Sequence, residues 1–194
     1  MSDTAPLPHE FYNRPALIVA RQLLGMQLVR EEAGQRIVGT ILETEAYRGE
    51  EDLACHCRFG RTPRTQVMYG TGGFAYVYFT YGMHWMLNFV AEGVDAPAAV
   101  LIRSLSIQAG QDLVASRRLG QPPPRWTDGP GKICQALNID KRLNGADLCN
   151  TDSGLFVIVG EPISDSRVAI GPRVGLNHTP EPWKSIPWRF LVQE

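Results

Sequence analysis

The sequence predicts a single domain that mixes helix and strand, with hairpins as its main building unit, and three observations carry that prediction. The chain is 194 residues long and 44% of it is hydrophobic, enough for one substantial core, with nothing that demands a second. Alternating segments joined by glycine-containing turns occur at residues 26–47 and again at 74–90, the pattern of antiparallel hairpins. Helical periodicity is confined to shorter stretches around 13–25, 108–119 and 130–137. The domain is expected over residues 1–194, with 1–9 as a flexible N-terminal tail.

Asn13-Arg14-Pro15 reads as a helix start, with Asn13 as the cap and Pro15 in the first turn. Leu17, Ile18 and Leu24 then form an apolar stripe that Gly25 ends. Residues 26–30 and 37–47 read as two strands around the turn 31–35. In the second of them Glu43, Glu45 and Tyr47 face one way and Leu42, Thr44 and Ala46 the other. Residues 48–66 are rich in Gly, Pro, Arg and acid, and a loop of that length in a compact domain is usually functional. After the turn 68–73 comes Phe74-Ala75-Tyr76-Val77-Tyr78-Phe79-Thr80-Tyr81, aromatic and β-branched, stopped by Gly82. Alternation places Tyr76 and Tyr78 on one face and Val77, Phe79 and Tyr81 on the other. Residues 83–90 return as the partner strand, leaving Tyr81 at a hairpin tip. Residues 98–104 form an apolar strand, and 108–119 a helix whose last turn holds Arg117 and Arg118, where the helix dipole favours cations. Gln121 and three prolines make a stiff connection. Thr127–Lys132 then leads into an apolar helical run, whose start with Lys132 suits either a phosphate or a plain capped helix. Short strands at 155–159, 166–170 and 188–192 close the chain.

Charged residues make up 20% of the chain, which argues against extended disorder. No run of about 18 apolar residues occurs, and the first residues lack a basic region followed by an apolar one. A cytoplasmic protein with no membrane partner is therefore expected. Cysteines at 55, 57, 134 and 149 allow pairing or metal binding. Neighbouring side chains on an extended segment point apart, however, and no second close pair of ligands appears at zinc-finger spacing. Free thiols and no metal are the expectation. The net charge of −1 conceals an uneven distribution. Residues 58–142 hold ten Lys or Arg against five acids, and no acid lies between Asp52 and Glu92. A phosphate-facing surface needs such a local excess, although a solvated surface produces one by chance.

The tyrosine strand reads first as core, as does any single aromatic strand. Its order points further. A tyrosine ring stacks while its hydroxyl finds a polar partner, and a carboxylate, Glu45, shares a strand face with Tyr47. An aromatic at a hairpin tip has few neighbours to pack against, and an amide such as Asn88 in a strand needs partners from protein or ligand. His56, in the loop with Arg58, Arg61 and Arg64, either orients a ligand or is simply exposed.

Glu43-Thr44-Glu45-Ala46-Tyr47, then His56, Tyr76-Val77-Tyr78-Phe79-Thr80-Tyr81-Gly82-Met83, Asn88, Arg103, Gly129-Pro130-Gly131-Lys132-Ile133-Cys134-Gln135-Ala136-Leu137 and Arg173-Val174-Gly175 resemble, in that order, the alkyladenine (3-methyladenine, methylpurine) DNA glycosylase family. The resemblance runs from about residue 10 to the end. It implies an α+β fold, a curved antiparallel sheet surrounded by helices with a protruding β-hairpin. It also implies excision of alkylated or deaminated purines, 3-methyladenine with hypoxanthine and ethenoadenine, from double-stranded DNA. By match to the motifs, Glu45 is the catalytic base, and Tyr47, His56, Tyr78, Asn88 and Arg103 shape the base pocket. Tyr81 is the wedge that intercalates into DNA, and Arg117, Arg118, Lys132 and Lys141 contact phosphates. His84 and Trp85, and a long segment between Asn88 and Arg103, depart from the pattern. The resemblance implies a bacterial-type, nucleoid-associated monomer with no cofactor. Two other readings share these residues: a nucleoside hydrolase, which needs the pocket but not the basic excess or Tyr81, and an inactive nucleic-acid-binding module, against which Glu45 speaks.

Overall fold

The computed structural model describes residues 5–193. It shows an α+β domain built on an eight-stranded antiparallel sheet with few helices. Two short helices, α1 (His9–Tyr12) and α2 (Ala16–Gln22), precede strands β1 (Gln27–Glu32) and β2 (Gln35–Arg48). The turn between these strands uses Ala33 and Gly34, both at positive φ, as a tight hairpin demands. Next come β3 (Ala75–Thr80), β4 (His84–Ala91) and β5 (Ala98–Ala109), then helices α3 (Gln111–Arg117) and α4 (Pro130–Ala136). Strands β6 (Leu155–Ile158), β7 (Val168–Gly171) and β8 (Arg189–Val192) finish the chain. The main path runs β3-β4-β5-β2-β1-β6, and β8 pairs with both β2 and β7.

Strict alternation divides the central four strands into two faces. One face carries Ala46, Ala75, Val77, Leu87, Phe89, Ala91, Ala98, Val100 and Ile102 into the main core, against α2 and α4. Thr44 lies on that side too, fully buried, and its hydroxyl donates to the Ala20 carbonyl at 2.8 Å. The opposite face carries Glu45, Tyr47, Tyr76, Tyr78, Asn88, Val90, Ala99 and Leu101. A second apolar cluster there includes Cys55, Cys57, Met68 and Tyr69 from the 48–73 segment, which folds over the sheet. The long β2 strand changes neighbour on one edge, pairing with β1 over residues 35–40 and with β8 over 43–45.

Several expectations need correction. Of the tail expected over 1–9, residues 1–4 lie outside the described residues and the rest is tied down from residue 6: Pro6 bridges to Ile158, and the buried Leu7 donates its N–H to the Val157 carbonyl at 2.7 Å. The helix expected over 13–25 is the shorter α2, and α1 is a separate turn of helix before it. Pro15, not Asn13, holds the N-cap position of α2; Asn13 ends α1, and its Oδ1 accepts from the Gly72 N–H at 2.7 Å and the Thr71 hydroxyl at 3.0 Å. Cys55 and Cys57, expected as free thiols, form a disulfide. The extended-segment argument fails because the chain turns after Cys55 into a 3-10 turn, His56–Phe59.

Candidate active site

A cavity of about 350 Å³ opens on the second face of the sheet, within the range of about 300–1,000 Å³ common for ligand sites. Its floor follows from strand register. Glu45, Leu101, Asn88 and Tyr76 lie opposite one another across β2, β5, β4 and β3, forming one row. Leu101, Asn88 and Tyr76 line the cavity, with Tyr47, Tyr78, His56, Arg103, Pro130 and the segment Val174–Leu176 around them.

Glu45 lies just behind that lining and is fully buried. Its Oε2 accepts from the Tyr47 hydroxyl at 2.8 Å, and its Oε1 accepts from the Val174 N–H at 2.6 Å. The Arg103 Nε stands 3.3 Å from Oε1 and also donates to Glu43 Oε1 at 3.0 Å. Burial raises the Glu45 pKa, opposed by Arg103, the Val174 N–H and the Tyr47 hydroxyl in that order, while Glu43 adds to the rise. Its three partners, Tyr47, Val174 and Arg103, all line the cavity.

Arg103 reaches two carboxylates because of a bulge. Thr44 pairs with Ile102 and Glu43 with Ser104, so Arg103 is the extra residue of β5 and is re-aimed toward the acids of β2. Across the cavity, His56 Nδ1 is 2.9 Å from the Tyr76 hydroxyl, and the His56 ring meets Tyr78 edge-on at 4.5 Å. Burial, with Arg64 and Arg58 nearby, lowers the His56 pKa to about 4, so the imidazole is neutral at physiological pH. The Arg64 guanidinium lies 5.1 Å from the centre of the Tyr78 ring. Asn88 is buried, and its Nδ2 donates to the Tyr76 carbonyl at 3.1 Å.

Tyr81 stands at the hairpin tip, 79% exposed, beside Met83 at 67%. Alternation alone would turn it away from Tyr76 and Tyr78. Instead it lines the cavity mouth, because its φ of 51° twists the chain at the turn. Of the residues expected at phosphates, Lys132 and Lys141 are on the surface, Lys132 paired with Asp128 at 2.6 Å. Arg118 bonds Gln135 and the Arg125 carbonyl. Arg117 is corrected: its guanidinium donates to the Ala136 carbonyl at the end of α4 and to Glu32 at 2.9 Å, so it joins elements instead of facing outward.

Two contributors were given no role by the sequence. Asp52 and Arg173 form a fully buried bidentate pair, at 2.5 and 2.9 Å. The same guanidinium lies 4.5 Å from the centre of the Tyr47 ring and donates to the Ala46 carbonyl, so it fixes the segment whose Val174 N–H reaches Glu45. Only the Arg173-Val174-Gly175 motif hinted at this. Among the described residues, the one group of three metal-ligating side chains, His9, Asp147 and Cys149, lies outside the cavity lining.

The sequence profile of the methylpurine-DNA glycosylase family matches residues 10–194. A protein of Myxococcus xanthus strain DK1622 named "Putative 3-methyladenine DNA glycosylase" is 47% identical over 188 residues, covering 97% of this chain and 90% of its own. A protein of the same name from Desulfitobacterium hafniense strain Y51 is 46% identical over 198 residues, covering 97% and 95%. Another from Carboxydothermus hydrogenoformans is 42% identical over 187 residues, covering 96% and 95%. The match spans every strand that builds the cavity and the segment that closes over Glu45, and the chain belongs to the methylpurine-DNA glycosylase family.

Proposed function

We propose that this protein is a monofunctional DNA glycosylase that swings a damaged purine out of duplex DNA and hydrolyses its N-glycosidic bond, leaving an abasic site. The substrates are 3-methyladenine and, in the same pocket, hypoxanthine and ethenoadenine. The observation that carries this reading is a buried carboxylate, Glu45, joined through its hydrogen-bond donors to an aromatic cavity whose mouth holds an exposed tyrosine.

A base inside a duplex is out of reach of any side chain, so it must leave the stack at a cost of a few kcal/mol. Tyr81 fills the gap it leaves and offsets part of that cost. The flipped base stacks against Tyr47, His56 and Tyr78. Neutral His56, held through Nδ1 by Tyr76, presents its other nitrogen to the base edge. Asn88, held by the Tyr76 carbonyl, stands where the exocyclic amino group of guanine would meet it. Glu45 acts at the sugar. An ionised carboxylate has about four acceptor positions, and Tyr47 and Val174 occupy one on each oxygen, which leaves acceptor capacity for a water beside the Arg103 ion pair. As the bond breaks, the sugar gains oxocarbenium character; the carboxylate stabilises that charge and takes the proton from the attacking water. Its raised pKa makes it a stronger base than an ordinary glutamate. Lys132, Lys141 and Arg118 contact phosphates. No cofactor takes part, and one chain supplies the whole site, so the protein acts as a monomer.

Single-turnover assays on duplexes carrying each lesion test this. The wild-type protein should release the base, and Glu45→Gln should be slower by about 10²–10⁴-fold, the usual contribution of a general base, while still binding an abasic-site analogue. Equal rates on free nucleosides would favour a nucleoside hydrolase. Binding without release by the wild-type protein would make it an inactive module.

A further inference from the structure

Away from the cavity, side chains of three metal-binding types meet where α1 docks against the start of β3. His9 opens α1, while Asp147 pairs with Phe74 just before β3 and Cys149 follows two residues on. We propose that His9 Nε2, the Asp147 carboxylate and the Cys149 thiolate form a structural site for a divalent transition ion of the zinc class.

One ring nitrogen of His9, a carboxylate oxygen of Asp147 and Cys149 Sγ all lie within 4.8 Å of one another, and His9 Nε2 is 3.5 Å from Asp147 Oδ1. Tetrahedral zinc, with bonds of about 2.0–2.3 Å, holds its ligand atoms about 3.3–3.8 Å apart. Only a small inward movement separates this cluster from that geometry. The tautomer is already set. His9 Nδ1 lies 2.7 Å from the Gly72 carbonyl, which can only accept, so Nδ1 carries a proton, and in the neutral ring Nε2 has its lone pair for a metal. Such an outer hydrogen bond is the usual partner of a metal-bound imidazole. Asp147 Oδ1 accepts the Cys149 N–H at 2.9 Å, which holds these two ligands in register.

The close approach is built into the backbone. Gly73 sits at φ 96°, and a Cβ there would fall 2.7 Å from His9 Nδ1, 2.8 Å from Cys149 Sγ and 3.2 Å from a ring carbon of Tyr12. The Tyr12 hydroxyl is buried without a hydrogen-bond partner, and after burial itself the charges of Cys149 and Asp147 do most to raise its pKa. A water in the fourth coordination position would give that hydroxyl its missing partner. The His9 and Asp147 side chains are 35% and 34% exposed, which leaves solvent a way in. One imidazole, one carboxylate and one thiolate suit zinc, whereas magnesium and calcium require oxygen donors. On binding, the Cys149 thiol gives its proton to solvent and the sulfur bonds to the ion. No ligand lines the cavity, so the ion would clamp the N-terminal helix to the segment before β6 and take no part in base release.

Cobalt titration of the full chain, stripped with a chelator, tests the site. One equivalent of Co²⁺ should produce a thiolate-to-metal charge-transfer band, and Zn²⁺ should abolish it. Zinc at about a hundred times its Kd should shift the unfolding equilibrium about a hundredfold, read as a higher Tm. Cys149→Ser and His9→Gln should lose both signals, and Cys57→Ser should keep them. No band with the wild-type protein, a band that survives Cys149→Ser, or an unchanged Tm with zinc would each overturn the proposal. The wild-type titration decides even if a variant fails to fold.

Discussion

Burial pulls the Glu45 carboxyl toward its protonated form while Arg103, the Val174 N–H and the Tyr47 hydroxyl favour its charge, and that tension sets both its chemistry and its cost. A carboxyl whose pKa is raised in the folded state contributes its full stability below the unfolded value, and that stability is lost as pH rises through the folded value. At pH 7 the buried charge therefore destabilises the fold. Glu45→Gln keeps one oxygen, which can accept from the Val174 N–H, its NH2 can donate to the Tyr47 hydroxyl oxygen, and Arg103 keeps Glu43 as its ion partner. The variant should have a higher Tm than the wild-type protein at pH 7, with the difference closing toward pH 4. A lower Tm at pH 7 would mean that the surrounding donors more than offset burial. The glutamate's position was legible, since alternation in β2 places Glu43, Glu45 and Tyr47 on one side. Its burial was not legible, because the donors that make burial tolerable come from residues 103 and 174.

The hairpin of β3 and β4 was the most readable element, and its turn held the least readable detail. Tyr81 and Gly82 both have positive φ, 51° and 69°, in the turn closed by the Met83 N–H and the Thr80 carbonyl. Such turns favour Asn-Gly, and a left-handed conformation costs an ordinary L residue roughly 1–2 kcal/mol. A tyrosine is therefore kept there at the expense of stability. Tyr81→Asn should raise stability by about 1 kcal/mol in urea unfolding and weaken binding to abasic-site DNA about tenfold or more. Unchanged DNA affinity would remove the wedge from the proposed function. The same limit applies in β5: the apolar run announced the strand, but nothing local announced the bulge that turns Arg103 toward two acids.

At the scale of the whole molecule, the Asp52–Arg173 pair closes the cavity by joining the long loop to the C-terminal segment. Arg173 would be left as an uncompensated buried charge in Asp52→Asn, at a cost of about 3–5 kcal/mol. Urea unfolding should show that loss, and base release should slow in the protein that remains folded, because Val174 and Tyr47 lose their anchor. Full stability in this variant would show that the remaining carbonyl partners suffice. The uneven charge also acts at this scale. Affinity for duplex DNA should fall steeply with salt, and each of Lys132→Ala and Lys141→Ala should lower the log–log slope by about 0.9. A slope unchanged in both would move the phosphate contacts elsewhere, as the structure has already done for Arg117.

Sequence by itself determined what a period of two can determine: which strands exist, which side of each is apolar, and that tyrosines, an asparagine and a glutamate face away from the core. It also carried the family, because spaced motifs survive in order along a chain. Tertiary structure decided the rest. The row Glu45, Leu101, Asn88, Tyr76 exists only because four strands pair in one register, and the buried partners of Glu45 and Asp52 arrive from far along the chain. Pairing register and long-range ion pairs depend on where distant segments meet, and local composition does not encode that meeting.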